Sequence, residues 1–400
     1  MVRKSLAERE RLMAIAPHII HPLTLCIPHD ASVRPAWMVR LGLMLYDHLY
    51  PRQSLPASSQ INLVHHDYGR PLTSASTTGF TYADCWVDDA RLVLLNVLDA
   101  QDRGAHVRNY TACVDLSAAE DGWTITSLDL LNQRKCTDHA RIVINATGPY
   151  ARRFLEDRGL TTVSTPKLRL VQGAHILVPR LYDGDHAYVL QQSDKRIIFV
   201  FPYHGQTLCG TTETLFNGDP MESHASEEEI TYLLDALNTH FKTATKKEDV
   251  LWSYAGVRPL FDVEGKDNRT VSRDYLLDVS RGQPSPLLTV FGGKLTTYRV
   301  LAEDALSAIQ TFGVDMTSPW TDAKPLPESP DVPQAYGDLT DDVLIYYIER
   351  EMARTAEDIL WRRTKLGLEL SEKERDAIEK RVAGLVKERT GYDTKTLSGP

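Results

Sequence analysis

The segment Leu287-Leu288-Thr289-Val290 is apolar and strand-like, stops at Gly292-Gly293, and gives way to apolar periodicity running from Val300 to Ile309. A strand that ends at two glycines and feeds a helix constrains the fold strongly, because it demands a packed α/β unit rather than an isolated helix or hairpin. The glycines allow backbone conformations closed to other residues and let a ligand approach the main chain. The helix start beyond them presents free N–H groups and the positive end of a dipole, and Lys294 adds a full charge at the same place. Such a turn suits an anionic or electron-rich group. On spacing alone the signal is weak, because strand–Gly-Gly–helix turns are common and most only turn the chain.

The rest of the chain narrows the choice. Four hundred residues suffice for about two or three domains with substantial cores. A net charge of −9 argues against a nucleic-acid partner, since no basic excess exists to neutralise phosphates. The five cysteines, Cys26, Cys85, Cys113, Cys136 and Cys209, are scattered and lack CxxC spacing, which points to a reducing compartment and away from structural zinc. Arg3 and Lys4 open a charged helical stretch, so no secretory signal is expected. The apolar run Trp37 to Tyr50 is interrupted by Arg40 and Asp47 and falls short of the roughly 20 residues a membrane span needs. It reads either as a packing helix or as an amphipathic surface helix.

Helices are expected from Leu6 to Ile15 (stopped by Pro17), from Ala36 to Leu49, and from Val87 to Ala100 entered from Asp84. Arg141 to Ala146 is a continuous apolar run of parallel-strand type, followed by Thr147-Gly148-Pro149. Short strands are expected at Ala174–Val178, Ala187–Leu190, Arg196–Phe201 and Thr207–Thr211. They are interrupted by one helix whose start is marked by Ser226 and Glu229 in capping-box spacing. A Pro-rich linker from Lys324 to Pro333 precedes helices near Asp341–Leu360 and Arg375–Lys387.

No GxGxxG, Walker loop, HExxH or GxSxG occurs, and the adjacent pair His65-His66 is poorly placed to ligate one metal; no metal site is expected. What remains are cations beside turns: His175, Arg258, Arg273 and Lys294. Spacing alone does not show that they converge.

The blocks Leu6-Ala7-Glu8-Arg9-Glu10, Arg34-Pro35-Ala36-Trp37-Met38, Asp84 to Leu92, Asn145-Ala146-Thr147-Gly148-Pro149, Gly256-Val257-Arg258-Pro259-Leu260, Phe291 to Arg299 and Trp361 to Lys365 occur in a fixed order along the chain. In these the chain resembles the FAD-dependent, quinone-linked glycerol-3-phosphate dehydrogenases of the D-amino-acid-oxidase-like flavoproteins. The resemblance implies an α/β fold. An incomplete Rossmann-like FAD domain (1–166 and 282–324) would interleave with an antiparallel-sheet substrate domain (167–281), and a shortened helical domain would follow the linker (325–400). It implies oxidation of glycerol 3-phosphate to dihydroxyacetone phosphate by hydride transfer to FAD, with electrons passed to a membrane quinone from a peripheral position on the inner face of the cytoplasmic membrane.

By the same resemblance His175 and Arg258 serve the reacting hydroxyl and its oxyanion, in roles that could be exchanged. Arg273 binds the phosphate, and Lys294 lies beside substrate at the flavin edge. Thr147, Gly148, Gly292, Gly293, Leu295, Thr296 and Thr297 contact the cofactor together with Lys294. The family's opening glycine-rich pyrophosphate loop is not among these residues, so a shortened chain is expected. The alternatives are a non-catalytic homologue unable to retain FAD, or a related oxidase using oxygen.

Overall fold

A computed structural model describes residues 2–29, 35–51, 54–73, 77–261, 274–280, 285–328 and 331–393. In chain order the elements are α1 (Val2–Ile15), β1 (Ile20–Pro28), α2 (Ala36–His48), β2 (Ser59–Asn62), β3 (Thr78–Val87) and α3 (Asp89–Asp102). A three-stranded antiparallel sheet follows, β4 (Thr111–Ala119), β5 (Gly122–Asp129) and β6 (Lys135–Ala140), then β7 (Val143–Asn145) and α4 (Ala151–Glu156). Next come β8 (Leu168–Val178), β9 (Ala187–Gln191), β10 (Ile197–Tyr203), β11 (Gln206–Gly210), β12 (Thr214–Leu215), α5 (Glu227–His240) and β13 (Trp252–Phe261). The chain then forms β14 (Tyr275–Ser280), β15 (Leu287–Gly292) and α6 (Tyr298–Gln310), and ends in α7 (Asp341–Glu349) and α8 (Glu372–Thr390).

The largest sheet runs β12-β8-β11-β10-β9-β1-β3-β2, with β13 along the other edge of β8. Its strands alternate faces with period two. Ile176, Val178, Tyr188, Leu190, Ile198, Val200 and Cys209 point one way and bury against Leu233, Leu234 and Leu237 of α5. That helix begins where the sequence placed it, with Ser226 and Glu229 closing a reciprocal capping box. Because α5 takes this face, the opposite one carries His175, Leu177, Leu208 and Gly210.

A second sheet, β14-β15-β7, is small, and its β15 and β7 are parallel, with Thr289 opposite Asn145. It forms the α/β unit with α6 that the Gly-Gly turn demands.

Several expectations shift. Ile20–Pro28, which the sequence does not show as a strand, pairs antiparallel with Thr78–Val87 and parallel with β9 and extends the large sheet. Pro22 and Pro28 disguise β1, because proline reads against a strand that has partners on both sides. The third helix starts later than expected. Asp84 to Val87 finish β3, and Asp88 is the cap, its carboxylate accepting from Arg91 N at 3.0 Å. The helix expected over Asp341–Leu360 breaks at Glu349, and a π-helical turn spans Asp358–Arg363. Between them Met352 takes φ +56° and Glu351 is fully buried, accepting two hydrogen bonds from Arg91 of α3 at 2.8 and 2.9 Å. Burial of that ion pair overrides local helix propensity.

Candidate active site

His175 on β8 lies opposite Tyr254 on β13, Gly173 opposite Gly256, and Val171 opposite Arg258. The alternating pleat puts His175, Tyr254 and Arg258 on one face, with a glycine pair between the imidazole and the guanidinium. Gly256 has open space where a Cβ would stand. A Cβ on Gly173 would come within 2.3 Å of Thr211 Oγ1 and 3.3 Å of an Arg258 nitrogen, so glycine leaves this stretch of the strand clear for Thr211 and for the guanidinium that passes close over it. The result is a shallow floor flanked by a histidine and an arginine. Arg258 is additionally 3.9 Å from Glu213.

Burial, and then the neighbouring Arg258 charge, pull the His175 pKa down to about 4. Its Nδ1 is buried with no hydrogen-bond partner. A neutral imidazole beside a permanent cation can accept a proton from a hydroxyl while the cation stabilises the oxygen left behind. Behind β8, on the α5 side, Glu229 accepts from Thr212 at 2.6 Å and from Gln172 at 2.8 Å, and Thr212 Oγ1 in turn accepts from Ala174 N at 2.8 Å. Burial disfavours the Glu229 carboxylate, but these bonds and those from Ser226 and Thr214 outweigh it and hold its pKa below the ordinary value. The network fixes the strand immediately before His175, at Gln172 and Ala174. Sequence spacing shows Glu229 only as a helix cap; its second task depends on a strand more than 50 residues away.

The two glycine turns meet in space. β7 and β15 are parallel neighbours, so Thr147-Gly148 and Gly292-Gly293 both lie beyond their carboxyl ends, the place where open α/β sheets hold dinucleotides. Gly148 (φ +59°), Gly292 (φ +72°) and Gly293 (φ +115°) all take conformations that favour glycine. Gly148 has open space above it, whereas Gly293 packs so closely on Leu301 that a Cβ would stand 3.1 Å from its Cδ1. Asn145 shapes the first turn, accepting from Thr147 Oγ1 at 2.7 Å and donating to Ala151 O at 2.9 Å. In the second, Lys294 is half-buried and Leu295 exposed, Leu295–Thr297 form a 3-10 turn, and Thr297 is buried with its hydroxyl donating to Lys294 O at 3.4 Å. β13 packs against both β15 and the 148–150 turn, which brings the His175–Arg258 floor and the glycine crevice side by side. The crevice, with backbone donors and no Cβ in the way, fits an extended anionic cofactor.

A match to the family of FAD dependent oxidoreductases (DAO) extends over residues 1–299. The chain belongs to that family. FAD is the cofactor its members use, and the glycine crevice is where this chain's own residues offer to hold it. Among curated proteins, the chain is 42% identical over 420 residues to a glycerol-3-phosphate dehydrogenase of Pseudomonas aeruginosa, covering 93% of this chain and 81% of that protein. It is 39% identical to a D-erythritol 1-phosphate dehydrogenase of Brucella abortus (94% and 85% covered) and 37% identical to the aerobic glycerol-3-phosphate dehydrogenase of Escherichia coli K12 (93% and 83%). In fold it is similar to the FAD-complexed glycerol-3-phosphate dehydrogenase of Bacillus halodurans, with a TM-score of 0.70 at 21% identity, covering 96% and 85% of the two chains. The mixed α/β architecture is thus the flavoprotein oxidoreductase fold.

Arg273 lies outside the described residues. Tyr254 and Gly210 were not singled out by the sequence, because their relation to His175 arises only from the register of three strands distant in the chain. A cavity of about 260 Å³ opens on the far side of Tyr254, lined also by Trp252, Tyr203, Trp361, Arg362 and Lys365. Trp252 and Trp361 stack there at 4.4 Å, joining the sheet to the C-terminal helical region.

Proposed function

We propose that this flavoprotein oxidises glycerol 3-phosphate at C2 to dihydroxyacetone phosphate. The observation that carries the reading is the pairing of a neutral histidine with an arginine over a glycine floor, beside the crevice that fits FAD. When bound, FAD supplies the hydride acceptor. His175 takes the C2 hydroxyl proton, because it is the neutral partner of the pair, and Arg258 stabilises the developing oxyanion because it stays charged throughout. The arriving phosphate dianion raises the proton affinity of His175 and so aids that transfer. Arg273 binds the phosphate through its planar fork, and Lys294 sets a positive charge at the flavin edge that faces substrate. Thr147 and Gly148 hold the dinucleotide portion. The amides of Gly293 and Leu295, with Thr296 and Thr297, hold the flavin side.

A lipid quinone receives the electrons, and the protein works on the inner face of the cytoplasmic membrane. No helix among the described residues is long and apolar enough to cross a membrane. Support for a peripheral surface comes from α2. Its inner side, Ala36, Val39 and Leu43, packs on the large sheet, while Trp37 (65% exposed), Met38, Leu41, Met44, Leu45 and Leu49 face outward. An apolar outer face on a helix already anchored by an apolar inner one suits insertion into the lipid interface.

The test is steady-state turnover of the FAD-loaded protein with a soluble quinone, comparing glycerol 3-phosphate, D-erythritol 1-phosphate and unphosphorylated glycerol. The reading expects the highest kcat/KM with glycerol 3-phosphate and little with glycerol. A preference for the four-carbon phosphate would overturn the substrate assignment and favour the activity named for the Brucella relative, and turnover with oxygen alone would favour an oxidase.

A further inference from the structure

A base that must meet a hydroxyl needs its ring fixed in orientation, and histidines that do this work usually have one ring nitrogen held by a hydrogen bond. His175 has no such tether, since its Nδ1 is buried and unpartnered. Something else must set the angle of the ring.

The register supplies it. β8 lies between β11 and β13, and at the level of His175 its neighbours are Gly210 on one side and Tyr254 on the other. On the Gly210 side a single added carbon would stand 2.1 Å from His175 Cδ2, 2.6 Å from Cγ and 2.7 Å from Nε2. The imidazole therefore occupies the volume a side chain would need, pressed against bare backbone. On the other side the Tyr254 ring lies parallel to it, with centroids 5.0 Å apart and planes 7° from parallel. Rotation about χ2 would drive the imidazole out of that stack. We infer that Tyr254 and Gly210 are positioning residues that clamp the His175 ring by shape, in place of the missing hydrogen bond.

The inference rests on His175 being the proton acceptor. Burial, and then Asp89, push the Tyr254 hydroxyl up to about 12, so the stacked ring is neutral and does not compete for the proton. The charged groups bearing on His175 are Arg258, with Glu213 beside it, and, through Tyr254, Asp89 of α3.

The clamp makes a prediction that a merely structural tyrosine would not. Tyr254→Phe keeps the stack and should keep kcat within about twofold, whereas Tyr254→Leu should lower kcat by at least about tenfold, a part of the roughly 10²–10⁴-fold that a well-placed general base contributes. Tyr254→Leu should also move the acid limb of kcat/KM, and the His175 ring titration followed by NMR in the unloaded protein, upward towards the ordinary histidine range. Gly210→Ala should lower kcat as much, with FAD retention unchanged. His175→Gln is the control for the parent reading. If it leaves turnover intact, both the base assignment and the clamp fall. If His175→Gln abolishes turnover while Tyr254→Leu matches wild type in kcat and ring titration, the clamp alone is overturned. The NMR titration decides the matter even where Gly210→Ala does not fold.

Discussion

Arg299 donates to both carboxylate oxygens of Glu8 at 2.8 Å, and the two side chains are 5% and 2% exposed. This fork-to-fork contact joins the start of α6, two residues beyond the Leu295–Thr297 turn, to α1, 291 residues earlier in the chain. It therefore fixes the backbone that carries Lys294. Glu8→Ala strands a buried guanidinium, which Glu303 at 2.6 Å only partly compensates. The expected loss is about 3 kcal/mol of stability, read from urea midpoints, together with weaker FAD retention. Retention equal to wild type would dissociate the contact from the cofactor turn.

The turn itself was legible in the sequence, because strand, glycines and helix are contiguous there and the residues that shape it are local. The same holds for α5, whose cap and apolar spacing lie within one segment, and for α1 and α2. What stayed hidden depends on register between distant strands. β1 carries two prolines and β2 and β3 are of mixed polarity, and all three become strands only by pairing with one another and, for β1, with β9. β4 and β6 are largely exposed and leave little hydrophobic alternation to read, and β5 between them is half-buried along most of its length. His175 and Arg258 stand out as residue types, but their meeting across Gly173 and Gly256 is a fact of the β8–β13 register. The break at Glu349 follows from Arg91, which nothing in the helical pattern reveals.

Arg91 and Glu351 are 2% and 0% exposed, and they join α3 to the C-terminal helical region. Arg91→Met leaves a buried carboxylate with Arg363 at 3.9 Å as its remaining close cation. A loss of about 3–5 kcal/mol is expected. Limited proteolysis should show earlier cleavage between α6 and α7, and an unchanged cleavage pattern would mean that the Trp252–Trp361 stack and polar contacts such as Arg350–Asp102 and Tyr110–Asp358 hold the region without the buried pair.

His186 and His175 both have pKa values lowered to about 4, His186 through burial and then nearby His66. The unfolded chain therefore takes up protons at a higher pH than the folded one. Stability from these groups is complete above the ordinary value of 6.5 and is lost as pH falls from there towards 4. His186 is 4% exposed, so its share is on the order of 3 kcal/mol at full extent. Urea midpoints should fall with acidification, and His186→Phe should flatten that slope. A slope unchanged by the substitution would contradict the assignment.

The outward face of α2 gives a direct membrane test. Leu41→Glu with Leu45→Glu should reduce binding to anionic-lipid vesicles by at least about tenfold, since each leucine contributes about 1.5–3 kcal/mol when buried. Turnover with a soluble quinone should persist. Undiminished vesicle binding would move the membrane surface elsewhere on the molecule.

FAD held in the glycine crevice and reduced by glycerol 3-phosphate at the His175–Arg258 floor, as proposed, would report both events through its own colour. The most direct measurement is anaerobic: load the protein with FAD, remove unbound cofactor, and record the visible flavin band before and after one equivalent of glycerol 3-phosphate. Retained flavin that bleaches on addition is expected, with bleaching slowed at least about a hundredfold in His175→Gln. Flavin that washes away, or that stays oxidised in the presence of substrate, would contradict the proposal.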